Sequence, residues 1–257
     1  MALIAMCVYD TEENQRSEYT NKTLQSLAER VDFRKHRLIV VDNNSIQKTK
    51  EILKYWQNIF EFEVITLPEN VGTAKGINYA WRKRAKGENA IKMDNDIVVH
   101  YDNWVDELEE VVKREPKIGI VGLKRKDCWE NPKHESPFYR SRLMLLPPLG
   151  DKWLVFEEVN HVMGTCQLYS STLLDRIGYL NQPTIYGFDD ALASFRAKIA
   201  GYAVGFLPHI EIDHIDINEN PYWREKQEIA QRDMKEYNDL IDKYRNGELD
   251  VYYEDKI

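Results

Sequence analysis

The stretch KMDNDIVV, residues 92–99, places two aspartates, Asp94 and Asp96, at the end of an apolar run. In an extended backbone residues i and i+2 lie on the same face, so these carboxylates repel each other unless water or a cation lies between them. Such a pair suits a hard divalent cation that carries phosphate oxygens. A solvated turn after a strand would explain the same residues, and the rest of the chain must decide between the two interpretations.

Acidic side chains also follow two earlier strand-like runs, in the segments CVYDTEEN (7–14) and VVDNNS (40–45). In a parallel sheet the loops at the carboxyl ends of the strands converge, and ligands bind there. We therefore expect Asp10, Asp42 and the Asp94/Asp96 pair at one edge of a sheet. Three independent solvated turns would be a weaker explanation of this repeated pattern.

Short apolar runs alternate with amphipathic segments through the first half of the chain. This alternation predicts an α/β fold with a mixed, mainly parallel central sheet flanked by helices. The tail from 219 to 257 predicts a C-terminal helix docked on its own domain, and a dimer contact through that helix is the alternative. The predicted strands are Leu3–Val8, Arg37–Val41, Glu63–Leu67, Ala90–Met93, Ile118–Leu123 and His161–Tyr169, and the predicted helices cover 17–30, 47–59, 73–86 and 102–114.

The composition of the 257 residues, 43% hydrophobic and 30% charged, is that of an ordinary globular protein. The net charge of -8 argues against a protein whose whole surface binds nucleic acid or anionic lipid. No apolar run approaches the roughly 20 residues of a membrane span. The opening MALIAMCV lacks a basic leader and a cleavage site, and the three cysteines lack metal-type spacing. We therefore expect a cytoplasmic protein with reduced thiols.

Residues 124–160 break the alternation and predict long loops with one hairpin, rich in proline, basic and aromatic residues. The segment after them predicts a helix that Gly201 ends and two short strands beyond it. The loops are candidates for binding an acceptor, which would then carry negative charge, although loop packing and a solvated basic face explain them equally. The residues concerned are Trp129, Phe138, Tyr139 and Trp153 for stacking, and Lys124, Arg125, Lys126, Arg140 and Arg142 for anionic groups.

The motifs in order resemble glycosyltransferase family 2, whose members have the Rossmann-like GT-A fold, use nucleotide sugars and invert the anomeric centre. The resemblance runs from about residue 3 to residue 216. It implies a GT-A domain at 1–218, with a nucleotide-sugar-binding half (1–123) and an acceptor and catalytic half (124–218), followed by the helical tail (219–257). The motifs are CVYDTEEN, VVDNNS, ENVGTAKGINYAW (69–81), MDNDI (93–97), HVMGTCQLYS (161–170), GFDDALASFRAKIAGY (187–202) and IDHID (212–216).

For the donor, the resemblance implies that Val8, Tyr9 and Asp10 surround the base and that Asp42 contacts base or ribose. A strand-to-helix turn capped by Asn44 or Ser45 would also explain the second motif. The segment 70–78 enters a helix through two glycines, so its amides can face a diphosphate, although a tight loop would look the same. The further donor-binding candidates are Asn70, Gly72, Lys75, Asn78, Asp94 and Asn95.

For the metal, the resemblance implies Asp96 and His214 as ligands of Mn²⁺ or Mg²⁺, with Asp94 touching ribose or metal. For catalysis it implies that Asp190 is the base and that Asp189 stands where the family has a glutamate. The shorter side chain leaves the choice between the two aspartates open. Two aspartates in a first helical turn would also stabilise the helix dipole.

The implied reaction is transfer of one sugar from a UDP- or dTDP-sugar to an acceptor hydroxyl, most simply of a saccharide or glycoconjugate. A modified DNA base or another polyanion is the alternative acceptor, which the basic and aromatic segment would suit and the negative net charge disfavours. A nucleotide-sugar-binding protein without catalysis is the second alternative. A nucleotidyltransferase is disfavoured because DTEENQ (10–15) occupies the place of its usual glycine-rich basic loop.

Overall fold

The computed structural model describes residues 1–127, 141–148, 151–216 and 221–255. The strands are β1 (Ala2–Val8), β2 (Arg37–Asp42), β3 (Glu63–Thr66), β4 (Asn89–Met93), β5 (Ile97–Val99), β6 (Ile118–Arg125), β7 (Arg142–Leu145), β8 (Val155–Glu158), β9 (Cys166–Tyr169) and β10 (Ala203–His214). The helices are α1 (Ser17–Arg30), α2 (Gln47–Gln57), α3 (Thr73–Trp81), α4 (Trp104–Arg114), α5 (Ser171–Ile177), α6 (Asp189–Ile199) and α7 (Pro221–Arg245).

One mixed sheet holds these strands in the order β3-β2-β1-β4-β9-β6-β10-β8-β7, and β5 pairs with β10 beside this path. Strands β3, β2, β1 and β4 run parallel, whereas β9 lies antiparallel between β4 and β6. In the parallel part Val8 pairs with Asp42, and Met6 pairs with Met93. The carboxyl ends of β1, β2 and β4 therefore meet at one edge, as expected.

Helices cover both faces of the sheet, which explains why β1 and β4 carry nearly continuous apolar runs. Leu24 of α1, Leu53 of α2 and Leu108 of α4 belong to one buried core. Ile77 of α3, Leu173 of α5 and Ala193 of α6 belong to a second core on the other face. The α/β prediction is confirmed, and among the described residues no helix has the length and apolar content that crossing a membrane requires.

Several predicted bounds were wrong. The strand predicted from His161 begins only at Cys166, because the chain turns at Gly164, whose carbonyl accepts from Lys92 and whose amide donates to Asp190. The two short strands predicted after Gly201 form one long strand, β10, whose pairing with β6 shifts register twice. Helix α3 ends at Trp81 rather than near 86, and three-residue β5 was too short to predict. The hairpin predicted within 124–160 is present as β7 and β8.

The C-terminal segment packs on α6 and then returns to the domain. Ile241 and Tyr244 of α7 pack with Leu192 of α6. Beyond α7, Tyr253 forms a β-bridge with Gly178, and the Asn78 side chain donates to the Asp255 carboxylate at 2.7 Å. Asn220, an asparagine directly before the first residue of α7 and thus of a type suited to capping a helix, lies outside the described residues. The dimer contact stays a prediction.

Candidate active site

A cavity of about 750 Å³ opens at the edge where β1 and β4 end. Its walls come from the loop after β1, the turn after β4, the segments 163–165 and 185–190, the end of β10 and the first part of α7. The cavity thus brings together motifs from both halves of the chain. Among the predicted site residues, Tyr9, Asn70, Asp94, Asn95, Asp96, Asp189, Asp190 and His214 line it.

A candidate metal site lies at one end of the cavity. Ligand atoms of Asp96, His214 and Asp216 all lie within 4.8 Å of one another, and Asp96 Oδ2 is 3.4 Å from His214 Nε2. The amide of Ile215 donates to the Asp96 carbonyl at 2.8 Å, which holds the end of β10 against the turn after β4. Asp96 Oδ1 is buried and has no hydrogen-bond partner among the described residues. A buried acceptor of this kind, beside an imidazole and a second carboxylate, fits Mn²⁺ or Mg²⁺.

Asp216 was not predicted as a ligand. The signal was available in IDHID, because Asp216 follows His214 at the i+2 spacing that also relates Asp94 to Asp96. The sequence does not show the path of the chain beyond β10. That path determines whether Asp216 faces the cavity.

Two cations face these carboxylates. The Arg16 guanidinium, directly before α1, pairs with Asp96 and donates to Asp216 at 2.7 Å, and Lys226 of α7 donates to Asp216 at 3.1 Å. Burial would raise the pKa of Asp96, but Arg16 and His214 outweigh it and hold that pKa well below its usual value. The carboxylate that would bind a cation is therefore ionised. Neither Arg16 nor Lys226 was a candidate from sequence.

Asp94 and Asn95 behave differently from Asp96. The Asp94 carboxylate lies 3.4 Å from Lys92 Nζ and is one-third exposed toward the cavity. Burial and the neighbouring carboxylates raise the pKa of Asp94 to about 6, against the opposing effect of Lys92. Asn95 is mostly buried, and its amide donates to Thr20 Oγ1 at 2.8 Å, which fixes the turn.

The aspartate pair at the start of α6 lies on another wall of the cavity. Gly187 and Phe188 both have positive φ, 81° and 66°, and the turn they make introduces the helix. The Asp190 carboxylate accepts from the Gly164 amide at 2.7 Å and from its neighbour Ala191 at 2.8 Å. Asp189 is 5% exposed and pairs with Lys92 at 3.1 Å.

His161 is a contact of Asp190 that the sequence did not indicate. Its Nε2 lies 3.2 Å from Asp190 Oδ2. Burial would raise the pKa of Asp190, but His161 and Lys92 outweigh burial and keep the pKa well below its usual value. Burial would lower the pKa of His161, but Asp190 outweighs it and raises that pKa. The carboxylate is consequently ionised at neutral pH.

At the two earlier strand ends, Val8, Asp10 and Asp42 are buried and do not line the cavity. Val8 is buried in β1, Asp10 accepts from Thr49 Oγ1 at 2.5 Å, and Asp42 Oδ1 accepts from the Ser45 amide at 2.8 Å. Helix α2 begins after Ile46 with no side-chain cap, so the alternative explanation of this motif, a cap at Asn44 or Ser45, does not hold. The turn is held instead by Asp42 and by Ser45 Oγ, which accepts from the Asp10 amide.

The glycine-rich segment 70–78 reaches the cavity through Asn70. Asn70 Oδ1 accepts from the Gly72 amide at 2.9 Å and from Asn43 at 2.7 Å. Gly72 has φ 87°, and a Cβ there would lie 2.7 Å from the Ile185 carbonyl oxygen. Lys75 is exposed and does not line the cavity, and Asn78 is buried against Leu180 and Asp255.

Of the residues proposed to bind an anionic acceptor, Arg125 lines the cavity, where its guanidinium is 3.0 Å from His214 Nδ1. Trp153 is 58% exposed. Lys124, Lys126 and Arg142 form ion pairs with Glu157, Asp213 and Glu158. Trp129, Phe138, Tyr139 and Arg140 lie outside the described residues.

The mixed sheet flanked by helices is the GT-A fold, because solved glycosyltransferase structures of that fold superpose on this chain with TM-scores of 0.65. Residues 4–178 match the model of the family described as glycosyl transferase family 2. The chain therefore belongs to glycosyltransferase family 2.

Three relatives illustrate the likeness. The low-salt glycan biosynthesis hexosyltransferase Agl10 of Haloferax volcanii is 24% identical over 209 residues, which are 78% of this chain and 64% of that protein. The mannosyltransferase PcManGT of Pyrobaculum calidifontis, solved with GDP-Man and Mn²⁺, has a TM-score of 0.65 and 18% identity, covering 88% of this chain and 60% of that one. Residues 1–349 of S. aureus TarS also have a TM-score of 0.65, at 19% identity, covering 94% and 64%. This chain spans less than two thirds of the length of each.

Proposed function

We propose that this protein is a metal-dependent, inverting glycosyltransferase that moves one sugar from a nucleoside-diphosphate sugar to an acceptor hydroxyl. The observation that carries the proposal is one cavity lined both by the Asp96 and His214 cluster and by an ionised Asp190. Metal-dependent displacement of a diphosphate needs both groups in one site. The relatives support it, because one is named a hexosyltransferase and another was solved with GDP-Man and Mn²⁺.

In this proposal Asp96, His214 and Asp216 hold Mn²⁺ or Mg²⁺, and Asp94 contacts the metal or the ribose. The bound cation supplies Lewis-acid stabilisation of the negative charge on the departing diphosphate. Arg16 and Lys226 line the same end of the cavity and add positive charge for the phosphates. Tyr9 and Asn70 form the part of the cavity left for the nucleoside.

Asp190 is the proposed general base. Its carboxylate accepts the proton of the acceptor hydroxyl as that oxygen attacks the anomeric carbon from the face opposite the diphosphate, which leaves with the bonding electron pair. The configuration at that carbon inverts. General-base assistance of this kind contributes about 10²–10⁴ in rate. Asp189 is the weaker candidate, because its carboxylate is buried and paired with Lys92.

UDP- or dTDP-sugars remain the proposed donors, a saccharide or glycoconjugate the proposed acceptor and the cytoplasm the proposed location. The ion pairs of Lys124, Lys126 and Arg142 with neighbouring acids reduce the positive charge that a polyanion such as DNA would meet. This favours the saccharide over the modified DNA base.

The test is incubation with Mn²⁺, a panel of UDP-, dTDP- and GDP-sugars and mixed saccharide acceptors, with released nucleoside diphosphate as the readout. We expect release with at least one donor, its loss in EDTA, and a fall of about 10²-fold or more in Asp190→Asn with nucleotide binding retained. Tight nucleotide binding with neither transfer nor donor hydrolysis would support the non-catalytic alternative. Release by Asp190→Asn at the wild-type rate would exclude Asp190 as the base.

A further inference from the structure

Lys92 is a buried charged side chain that the proposed mechanism does not use. It lies on β4 and is 3% exposed. Its Nζ is 3.1 Å from Asp189 Oδ2 and 3.4 Å from Asp94 Oδ1, and it donates to the Gly164 carbonyl at 2.9 Å. One ammonium group therefore contacts Asp94 in the turn after β4, Asp189 at the start of α6 and Gly164 in the loop before β9.

The backbone of Lys92 is held rigidly. Strand β4 lies between β1 and β9, and Lys92 pairs with Ala5 on one side and Gln167 on the other. The carboxylates of Asp189 and Asp94 both lie within ion-pair distance of the Lys92 ammonium. The ammonium is thus an ion-paired group on a fixed strand.

Gly164 connects Lys92 to the proposed base. Its carbonyl accepts from Lys92, and its amide donates to Asp190 Oδ2 at 2.7 Å. A Cβ at this position would lie 2.6 Å from Lys92 Nζ and 3.2 Å from Asp190 Oδ2. Both side chains therefore pack directly against Gly164. A displacement of Lys92 would therefore move the peptide that orients Asp190.

We infer that Lys92 is a positioning residue that couples the two halves of the site: it ties Asp94 to Asp189 directly and orients Asp190 through Gly164. This inference rests on the proposed function. The inference also gives the two aspartates of α6 different roles. The ion pair with Lys92 holds Asp189 in place, whereas Asp190 remains the group that acts on the acceptor.

The experiment compares Lys92→Met, which keeps length and removes charge, with Lys92→Arg and with the surface control Lys83→Met. Lys83 pairs with Glu63, and both are substantially exposed. Two readouts are used: kcat and donor KM as functions of pH, and backbone hydrogen exchange of 161–167 and 187–193 without substrates. For Lys92→Met we expect kcat to fall about tenfold or more while donor KM changes less, as for lost positioning of a reacting group.

We also expect the acid limb of its kcat profile to move to higher pH, because Lys92 helps to keep the pKa of Asp190 low. Both exchange segments should lose protection, Lys92→Arg should recover part of each effect, and Lys83→Met should match the wild type. If Lys92→Met does not fold, the double variant Lys92→Met/Asp189→Asn, which removes both charges of the pair, replaces it for the exchange readout, and the same two segments should lose protection. Lower thermal stability with an unchanged kcat, pH profile and exchange pattern would overturn the inference. If the wild type shows no transfer, the proposed function fails, and the exchange readout alone decides the role of Lys92.

Discussion

At the scale of single residues, the cavity is defined by buried charges held close to opposite charges. Asp96 faces Arg16 and His214, Asp190 faces His161, and Asp189 faces Lys92. Buried ions are expensive unless they are paired, so removing one partner is costly to the fold as well as to the site. Each charge can therefore be tested separately, provided that stability is measured beside the functional readout.

Asp216→Asn tests the ligand that sequence reasoning missed. Loss of this carboxylate should lower the affinity for Mn²⁺ by about 10–100-fold, since metal sites depend strongly on each anionic donor. The measurement is Mn²⁺ titration followed by electron paramagnetic resonance. Asp213→Asn is the matched control, because Asp213 lies three residues earlier, near the end of β10, but pairs with His100 and Lys126 and does not line the cavity. Equal Mn²⁺ affinity of the wild type and Asp216→Asn would remove residue 216 from the metal site.

His161→Gln tests the pair with Asp190 through its pH dependence. The pKa of His161 is raised in the folded state, so its stabilising effect is fully present below the unfolded value of about 6.5 and is lost as pH rises through the folded pKa. The pKa of Asp190 is lowered, so its own contribution is lost only in acid. We expect the variant to lose on the order of 1 kcal/mol of unfolding free energy near pH 6 and less near pH 9. Urea unfolding at both pH values gives the answer, and a deficit that grows with pH would contradict the pairing.

At the scale of elements, the segment before α3 shows how a turn conformation and a close contact combine. Gly72 has φ 87° and a place for a Cβ only 2.7 Å from the Ile185 carbonyl oxygen. Gly87 has φ 78° and nothing within 4 Å of the same position. An alanine would be strained by the positive φ at both positions, and at Gly72 it would also clash with the loop that leads into α6.

Gly72→Ala should therefore destabilise the protein by about 2 kcal/mol or more, and Gly87→Ala by about 1 kcal/mol. The difference reports the contact of this segment with the loop at residue 185 together with the unusual backbone of Gly72, φ 87° and ψ 170°. Thermal or urea unfolding of both variants measures it. An equal loss of unfolding free energy in both variants would mean that the loop at residue 185 moves away from the added methyl group without a measurable cost.

At the scale of the whole molecule, the residues after α7 pack against the domain and do not line the cavity. Asp255 is 2% exposed, accepts from Asn78 on its carboxylate and from Arg82 on its carbonyl, and so joins the end of the described chain to α3. Arg196 of α6 donates to the carbonyls of Tyr179 and Val251. Asn78 and Arg196 therefore have structural roles, because both hold the C-terminal residues against the domain.

Asp255→Ala should lower the unfolding free energy by about 1–3 kcal/mol, because the buried Asn78 amide loses a charged acceptor. The nucleotide affinity should change little, since neither residue lines the cavity. Asp239→Ala, at an exposed position of α7, is the control and should stay close to the wild type. Urea unfolding and nucleotide titration test the pair of variants, and a loss of nucleotide affinity with unchanged stability would instead connect Asn78 to the donor site.

The sequence alone determined the α/β layering, most strand positions and the approach of residues 94–96 to the sheet edge, because apolar periodicity and strand ends are local properties of the chain. The order of the family motifs also identified Asp96 and His214 as candidate metal ligands and Asp190 as the candidate base. These roles stay predictions. Only the tertiary structure decided that Asp10, Asp42 and Asn78 are buried and do not line the cavity, and that Arg16, His161 and Asp216 lie with the candidate site residues. These side chains meet across long stretches of chain, 200 positions for Arg16 and Asp216, so their contacts depend on packing between elements that no local pattern encodes.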